Sequence, residues 1–288
     1  MPAFDFSCAP FRVRESTTPE DVAEQIAACY EVVSAFPDKM ACATEAAFRV
    51  TGLPTDAPLA TAARALAQDI DAGVGDGRAN PYHNSQHYCE VLLAALYLAQ
   101  RALLTQTEQA QLLVAALAHD FHHDGRSSIG NAFRLELLAA QATTPYLNEA
   151  GVAQEEQARI VSLILSTETT VGVPYARRCH EYFFAGAPKP PVRDIVTGLA
   201  VLVEDARLAR QAVLLGEADL LPSVGLTVYY GEMTQANLAK EWGRPLSAVD
   251  KIFFLEKIFG DFLVSRFFSP NVQFMKDAMR RKAEAIQR

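Results

Sequence analysis

Five of the six histidines fall between His83 and His123, in two short segments, NPYHNSQHYCE (residues 80–90) and ALAHDFHHDG (residues 116–125). Imidazole nitrogens beside carboxylates suit two kinds of chemistry. They ligate Zn²⁺, Mn²⁺ or Fe²⁺, and an imidazole can also move a proton near neutral pH. In the second segment Leu112, Ala115, Ala116 and His119 recur at helical spacing, so His119 and its neighbour Asp120 sit at the inner end of an otherwise buried helix. In the first, Asn84 serves as an N-cap, which carries His87 into the first turn on the face shared with Val91, Ala94 and Leu98. His83 precedes that cap and projects from a loop. A buried carboxylate needs a compensating charge, and a divalent cation held by His87, His119 and Asp120 supplies one. A fourth ligand has to come from further along the chain. Asp219, after an apolar helix and flanked by Ala218, Leu220 and Leu221, is the better placed, with Asp205 in the charged stretch LVEDARL as the alternative.

The elements that must position these groups are helical. Helical periodicity dominates, and no run of alternating apolar and polar residues bounded by turn signals makes a convincing strand, so the fold class is all-α. Helix starts are expected at Thr18–Pro19 and at Thr107–Glu108. Gly- and Pro-rich clusters such as DAGVGDGRANPYHN and AGAPKPP separate the helices and read as turns instead of domain linkers. Residues 1–75 are expected to form an N-terminal helical subregion packed on a catalytic domain of residues 76–288. The run DKIFFLEKIFGDF reads as a helix on which Phe253, Phe254, Phe259 and Phe262 form, for the most part, a core aromatic stripe.

The chain has 288 residues, half of them hydrophobic, and a formal net charge of -8. That charge argues against a nucleic-acid or anionic-membrane surface, so bound phosphate needs a local source of positive charge. The five cysteines are scattered and never spaced as CxxC, which argues against a disulfide framework or a thiolate zinc site. Neither a signal peptide nor a membrane span is expected, and the location expected is cytoplasmic.

The motifs resemble those of the class I 3′,5′-cyclic nucleotide phosphodiesterase catalytic domain, within the HD-domain metal-dependent phosphohydrolase superfamily. YHNSQHYCEV matches the pattern YHNxxHxxxV, HDFHHDG matches HDxxHxG, and EADLLPS matches a later apolar ADL stretch, over a span from about Asn80 to about Phe267. The resemblance implies a compact multi-helix bundle with a bimetal site between helices. It implies that His87, His119, Asp120 and Asp219 bind the first of two divalent ions, zinc with magnesium or manganese, iron being the other option, with Asp120 bridging to the second. It also implies that hydroxide activated between the ions attacks phosphorus while His83, as general acid, protonates the leaving oxygen. His123 would lie beside the ligands, near the water between the ions, and His122, at a variable place of the motif, is either a surface residue or a contributor to the second metal. Glu136 and Thr167 would be further polar pocket positions, and Glu168 one candidate for the carboxylate beside the acid.

The implied partner is a small nucleotide or other phosphodiester. Tyr82, Lys251 and Phe254 are the expected substrate contacts, with Phe254 the aromatic clamp and Lys251 where the family carries a glutamine; Gln235 is a looser match for that glutamine. The alternatives are an HD phosphohydrolase acting on another phosphoester, a di-iron oxygenase, and a non-catalytic nucleotide-binding module.

Overall fold

Two side-chain caps start the helices on which the histidine segments depend. Asn84 accepts hydrogen bonds from the N–H groups of Gln86 (2.9 Å) and His87 (3.3 Å), as its position before an apolar run predicts. Thr105 and Glu108 form a reciprocal capping box, so the next helix begins two residues earlier than the Thr107–Glu108 start read from the sequence. The computed structural model describes residues 19–75, 79–126, 130–193, 195–224, 226–261 and 269–286. Thr18 and Phe262 lie outside them, as does the side chain of Phe259.

Among the described residues there is no strand. The helices in chain order are α1 (Pro19–Ser34), α2 (Lys39–Thr51), α3 (Pro58–Ala72), α4 (Ser85–Arg101), α5 (Gln106–Ala118), α6 (Arg134–Glu149) and α7 (Gln154–Leu165). They continue with α8 (Gly172–Phe184), α9 (Thr197–Ala200), α10 (Ala206–Val224), α11 (Val228–Glu241), α12 (Ala248–Asp261) and α13 (Ser269–Ile286). None is long and apolar enough by itself to cross a membrane.

The centre is built from α4, α5 and α10, which pack on one another. Every residue of α4 from His87 to Ala99 is buried, as is every residue of α5 from Ala110 to Ala118. A helix apolar on all sides can satisfy its surface only by being surrounded. Around this centre α2 packs on α3 and α4, α3 on α5 and α6, and α7 and α8 on α10. One continuous apolar cluster runs from Ile26 to Tyr230, so the described part of the N-terminal subregion shares its core with the helices that follow.

Helix α12 departs from the expected aromatic stripe. Its inward face is Ala248, Lys251 and Leu255, at helical spacing, and that register turns Phe253 and Phe254 outward, 71% and 37% exposed.

A buried polar network ties the outer helices to the centre. The Tyr30 hydroxyl on α1 donates to the Glu90 carbonyl (2.6 Å), while the Glu90 carboxylate on α4 accepts from the Tyr230 hydroxyl on α11 and from Gln86 Nε2 (3.1 Å). Burial pushes the Glu90 carboxyl up, and the hydrogen bond from Tyr230 opposes it. Tyr230→Phe removes that donor without changing the ring. It should destabilise the fold by about 1–3 kcal/mol, read as a lower urea midpoint at unchanged m-value.

Candidate functional site

The three central helices deliver four ligand atoms to one point. His87 comes from the first turn of α4, His119 and Asp120 directly follow α5, and Asp219 lies on α10. His87 Nε2 stands 3.4 Å from Asp120 Oδ2 and 3.2 Å from Asp219 Oδ1, and His119 Nε2 stands 3.2 and 3.5 Å from the same two oxygens. Two donors bound to one ion at roughly 2.0–2.2 Å, at tetrahedral or octahedral angles, are about 3.0–3.5 Å apart, so these separations fit a shared cation.

The imidazoles fit it as well. His119 Nδ1 lies 2.8 Å from the Ala116 carbonyl, which can only accept, so Nδ1 carries the hydrogen and the Nε2 lone pair faces the cluster. His87 Nε2 and His119 Nε2 are buried and have no hydrogen-bond partner among the described residues. Burial pushes both rings toward the neutral form, but Asp120 and Asp219 override it, raising His87 to about 9 and His119 well above its ordinary value. Two carboxylates that draw protons onto buried imidazoles this strongly could hold a divalent cation for the same reason, and its binding would release those protons.

Asp205 is held elsewhere. It accepts from the N–H groups of Arg207 and Leu208 at the start of α10 (both 2.9 Å) and pairs with Arg159.

His83 sits beside this cluster on the loop before α4. Its Nε2 is 4.0 Å from Asp120 Oδ2, and its ring stacks on His123 with centroids 3.8 Å apart. The loop is fastened by Asn80, whose Nδ2 donates to the carbonyls of His123 (2.8 Å) and His83 (3.2 Å). Gly125 leaves room for this: a Cβ there would stand 2.8 Å from Asn80 Oδ1, and its φ of +70° suits glycine.

The carboxylate beside His83 is Glu241, at the end of α11. It accepts from His83 Nδ1 and from the N–H groups of Tyr82 (2.9 Å) and His83 (3.0 Å). Burial opposes its charge, yet the hydrogen bond from the His83 ring, the charge on that ring and the backbone donors hold it down at about 2. Sequence reasoning missed Glu241, which is 158 positions from His83 in a segment, LAKEWG, that reads as an ordinary helix end. Glu168, the carboxylate candidate from sequence, instead accepts from the Val171 and Gly172 N–H groups and the Thr170 hydroxyl at the start of α8. His83, His123 and Glu241 also bring ligand atoms within 4.8 Å of one another, but Gly125 N–H occupies His123 Nδ1 (3.0 Å) and Glu241 occupies His83 Nδ1.

The other expected positions divide. The Tyr82 ring packs against the rings of His83 and His87, both at 4.7 Å. Glu136 keeps a buried oxygen without a partner, and burial together with the charges of Asp120, Glu168 and Asp219 pushes it up to about 7. Thr167 is buried and donates to the Ile164 carbonyl (2.8 Å). His122 faces away from the cluster, against Phe121 and a separate cavity. Gln235 donates to the carbonyls of Leu246 (3.0 Å) and Ser247 (3.1 Å) and so fastens the α11–α12 turn. Lys251 is buried, its Nζ donates to the Ser223 carbonyl (2.8 Å) and lies 5.9 Å from the Phe254 ring centroid, and burial lowers its pKa to about 8.

Asp219→Ala should reduce retained divalent metal at least about tenfold by elemental analysis, whereas Asp205→Ala should keep the metal and lower only the melting temperature. Glu241 gives a pH signature. Its folded pKa lies below the ordinary 4.5, so it contributes stability that is complete above that value and lost as pH falls toward 2. Metal-free Glu241→Gln should therefore show a flatter acid limb than the unsubstituted chain, in urea titrations between those two pH values.

Residues 82–169 match the family model described as 3′5′-cyclic nucleotide phosphodiesterase. No curated protein matches the sequence. Among solved structures, the phosphodiesterase domain of the Salpingoeca rosetta rhodopsin phosphodiesterase is 18% identical, with 99% of this chain and 92% of that one covered and a TM-score of 0.60. LmjPDEB1 in complex with IBMX is 16% identical over 98% of this chain and 96% of that one, with a TM-score of 0.62. Yeast caPDE2 is 14% identical over 92% of this chain and 73% of that one, at 0.56. The chain therefore has the fold of the class I cyclic nucleotide phosphodiesterase catalytic domain and carries, over residues 82–169, the signature of that family of phosphodiester hydrolases.

Proposed function

We propose that this phosphodiesterase hydrolyses a 3′,5′-cyclic nucleotide, with His87, His119, Asp120 and Asp219 holding divalent cation and His83 protonating the leaving oxygen. The observation that carries the reading is the juxtaposition of the four-ligand cluster with the His83–Glu241 pair, 4.0 Å across from Asp120. When bound, divalent cations would supply Lewis-acid neutralisation of phosphate oxygens and a water of lowered pKa, and His87, His119, Asp120 and Asp219 are the residues that would hold them.

The chain's own residues account for the proton. A carboxylate can only accept, so Glu241 fixes Nδ1–H of His83 and leaves Nε2 to face the cluster. An alkoxide is a poor leaving group, and an Nε2–H aimed at it is the group that protonates it. The His123 ring, stacked on His83, restricts its tilt, and burial pushes His123 itself down to about 4, so it stays neutral beside the acid near pH 7. Tyr82 closes the other side of the imidazole and, with Phe254, is the proposed substrate contact. Glu136, whose buried carboxyl feels the charges of Asp120 and Asp219, is a further polar position near the cluster.

One observation favours a second reading, hydrolysis of another phosphodiester or a phosphomonoester. Lys251 has donors only, one of them spent on Ser223, so it cannot offer a base edge the paired donor and acceptor of an amide. Turnover of cAMP, cGMP and bis(p-nitrophenyl) phosphate in Mn²⁺, Mg²⁺ and Zn²⁺ separates the two. Hydrolysis of the last alone supports the second reading, and no hydrolysis of any overturns both. His83→Ala should keep its metal and lose about 10²- to 10⁴-fold in kcat on a cyclic nucleotide, with a much smaller loss on the p-nitrophenyl ester, whose leaving group scarcely needs a proton. Equal losses on both would make His83 a phosphate-positioning residue instead.

A further inference from the structure

A cavity of about 370 Å³ lies on the far side of Tyr88 from the metal-ligand cluster. Tyr88 is the wall between them: its ring lines the cavity and its hydroxyl donates to the Asp120 carbonyl (2.7 Å). The other walls are the α1–α2 turn, the end of α3, the first residue of α4, and His122. The volume falls within the range of small-molecule sites.

Its chemistry is divided. Phe36, Ile70 and Tyr88 give it an apolar floor, and Lys39, Ser85 and His122 give it donors. Lys39 and His122 have no hydrogen bond or ion pair among the described residues, although both are partly buried. The cavity's carboxylate makes no ion pair with either: both oxygens of Asp71 accept backbone N–H groups at the start of α2, from Met40 (3.1 Å) and Ala41 (2.8 Å), and Lys39 adds only a weaker attraction to its charge. Asn84 caps Gln86 and His87 but leaves the N–H of Ser85, at the positive end of α4, without a side-chain partner. His122, a further lining residue, is held at a φ of 67°, a left-handed conformation uncommon outside glycine, and its ring packs edge-on against Phe121.

We propose that this cavity is a second, non-catalytic binding site for a small organic anion, a molecule with an apolar or aromatic body and one carboxylate, sulfonate or phosphate group. The body lies on Phe36, Ile70 and Tyr88, and the anionic group meets Lys39, His122 and the N-terminal turn of α4. The inference does not depend on the catalytic reading, and its test needs no turnover.

The probe is 8-anilinonaphthalene-1-sulfonate, titrated by fluorescence into the metal-loaded full chain. The expected result is saturable binding of one equivalent, weakened at least about tenfold by Lys39→Met, which removes the charge and keeps an apolar stem, and abolished by Val74→Trp, which fills the cavity from its exposed edge. Should Lys39→Met fail to fold, Val74→Trp with Ser85→Glu, which sets a like charge at the same turn, gives the same two arms. Absence of saturable binding overturns the proposal. So does unchanged affinity when the charge is removed, or undiminished binding in Val74→Trp, which would place the probe outside this cavity.

Discussion

Two imidazoles and two carboxylates meet inside a helical core, with ligand atoms all within 4.8 Å of one another. An arrangement of this kind is costly, because ionised carboxylates lose their hydration on burial and repel each other at this range. The rest of the site follows from how that cost is met. The two histidines must carry protons or share a cation with the acids, so they have to be held with Nε2 inward. The Ala116 carbonyl does this for His119, while the Asn84 cap fixes the backbone turn from which His87 enters the cluster. The backbone around the cluster is fixed in turn by Tyr88 on the Asp120 carbonyl and by Asn80 across the two histidine segments.

The proposed proton donor depends on the same frame at longer range. His83 is oriented by Glu241, and Glu241 stands at the end of α11, whose opposite end is fastened through Tyr230 to Glu90 of α4. One helix thus connects a buried polar network to the orientation of the imidazole. The network also reaches α1 through Tyr30, so the N-terminal helices contribute to a site to which they supply no ligand. This is the physical sense in which residues 19–75 and the later helices share one core.

Several parts of this arrangement were legible because they are local. The N-cap at Asn84 and the inward direction of His87 follow from side-chain chemistry and a 3.6-residue period, and the all-helical class follows from the same period repeated. The preference for Asp219 over Asp205 followed from an apolar neighbourhood against a charged one, and Asp205 does pair with Arg159. Local reading failed where two local solutions compete. Thr105 outdid Thr107 as a cap because only Thr105 has Glu108 at the reciprocal position. Phe253 and Phe254 turned outward because Leu255 and Lys251 define the buried face of α12.

Residue types and spacing by themselves determined a helical protein and two histidine segments on apolar helices, and they set the expectation that the helical histidines ligate a cation with nearby carboxylates while the loop histidine moves a proton. Tertiary structure alone decided which carboxylate serves His83. It gave that place to Glu241, set Glu168 to capping α8, and turned His122 away from the cluster that its neighbours form. The reason is range. A cap or a helical face is settled within about four residues, whereas the 158 positions between His83 and Glu241 are closed only by the packing of α4, α10 and α11, and no periodicity in the sequence encodes that approach.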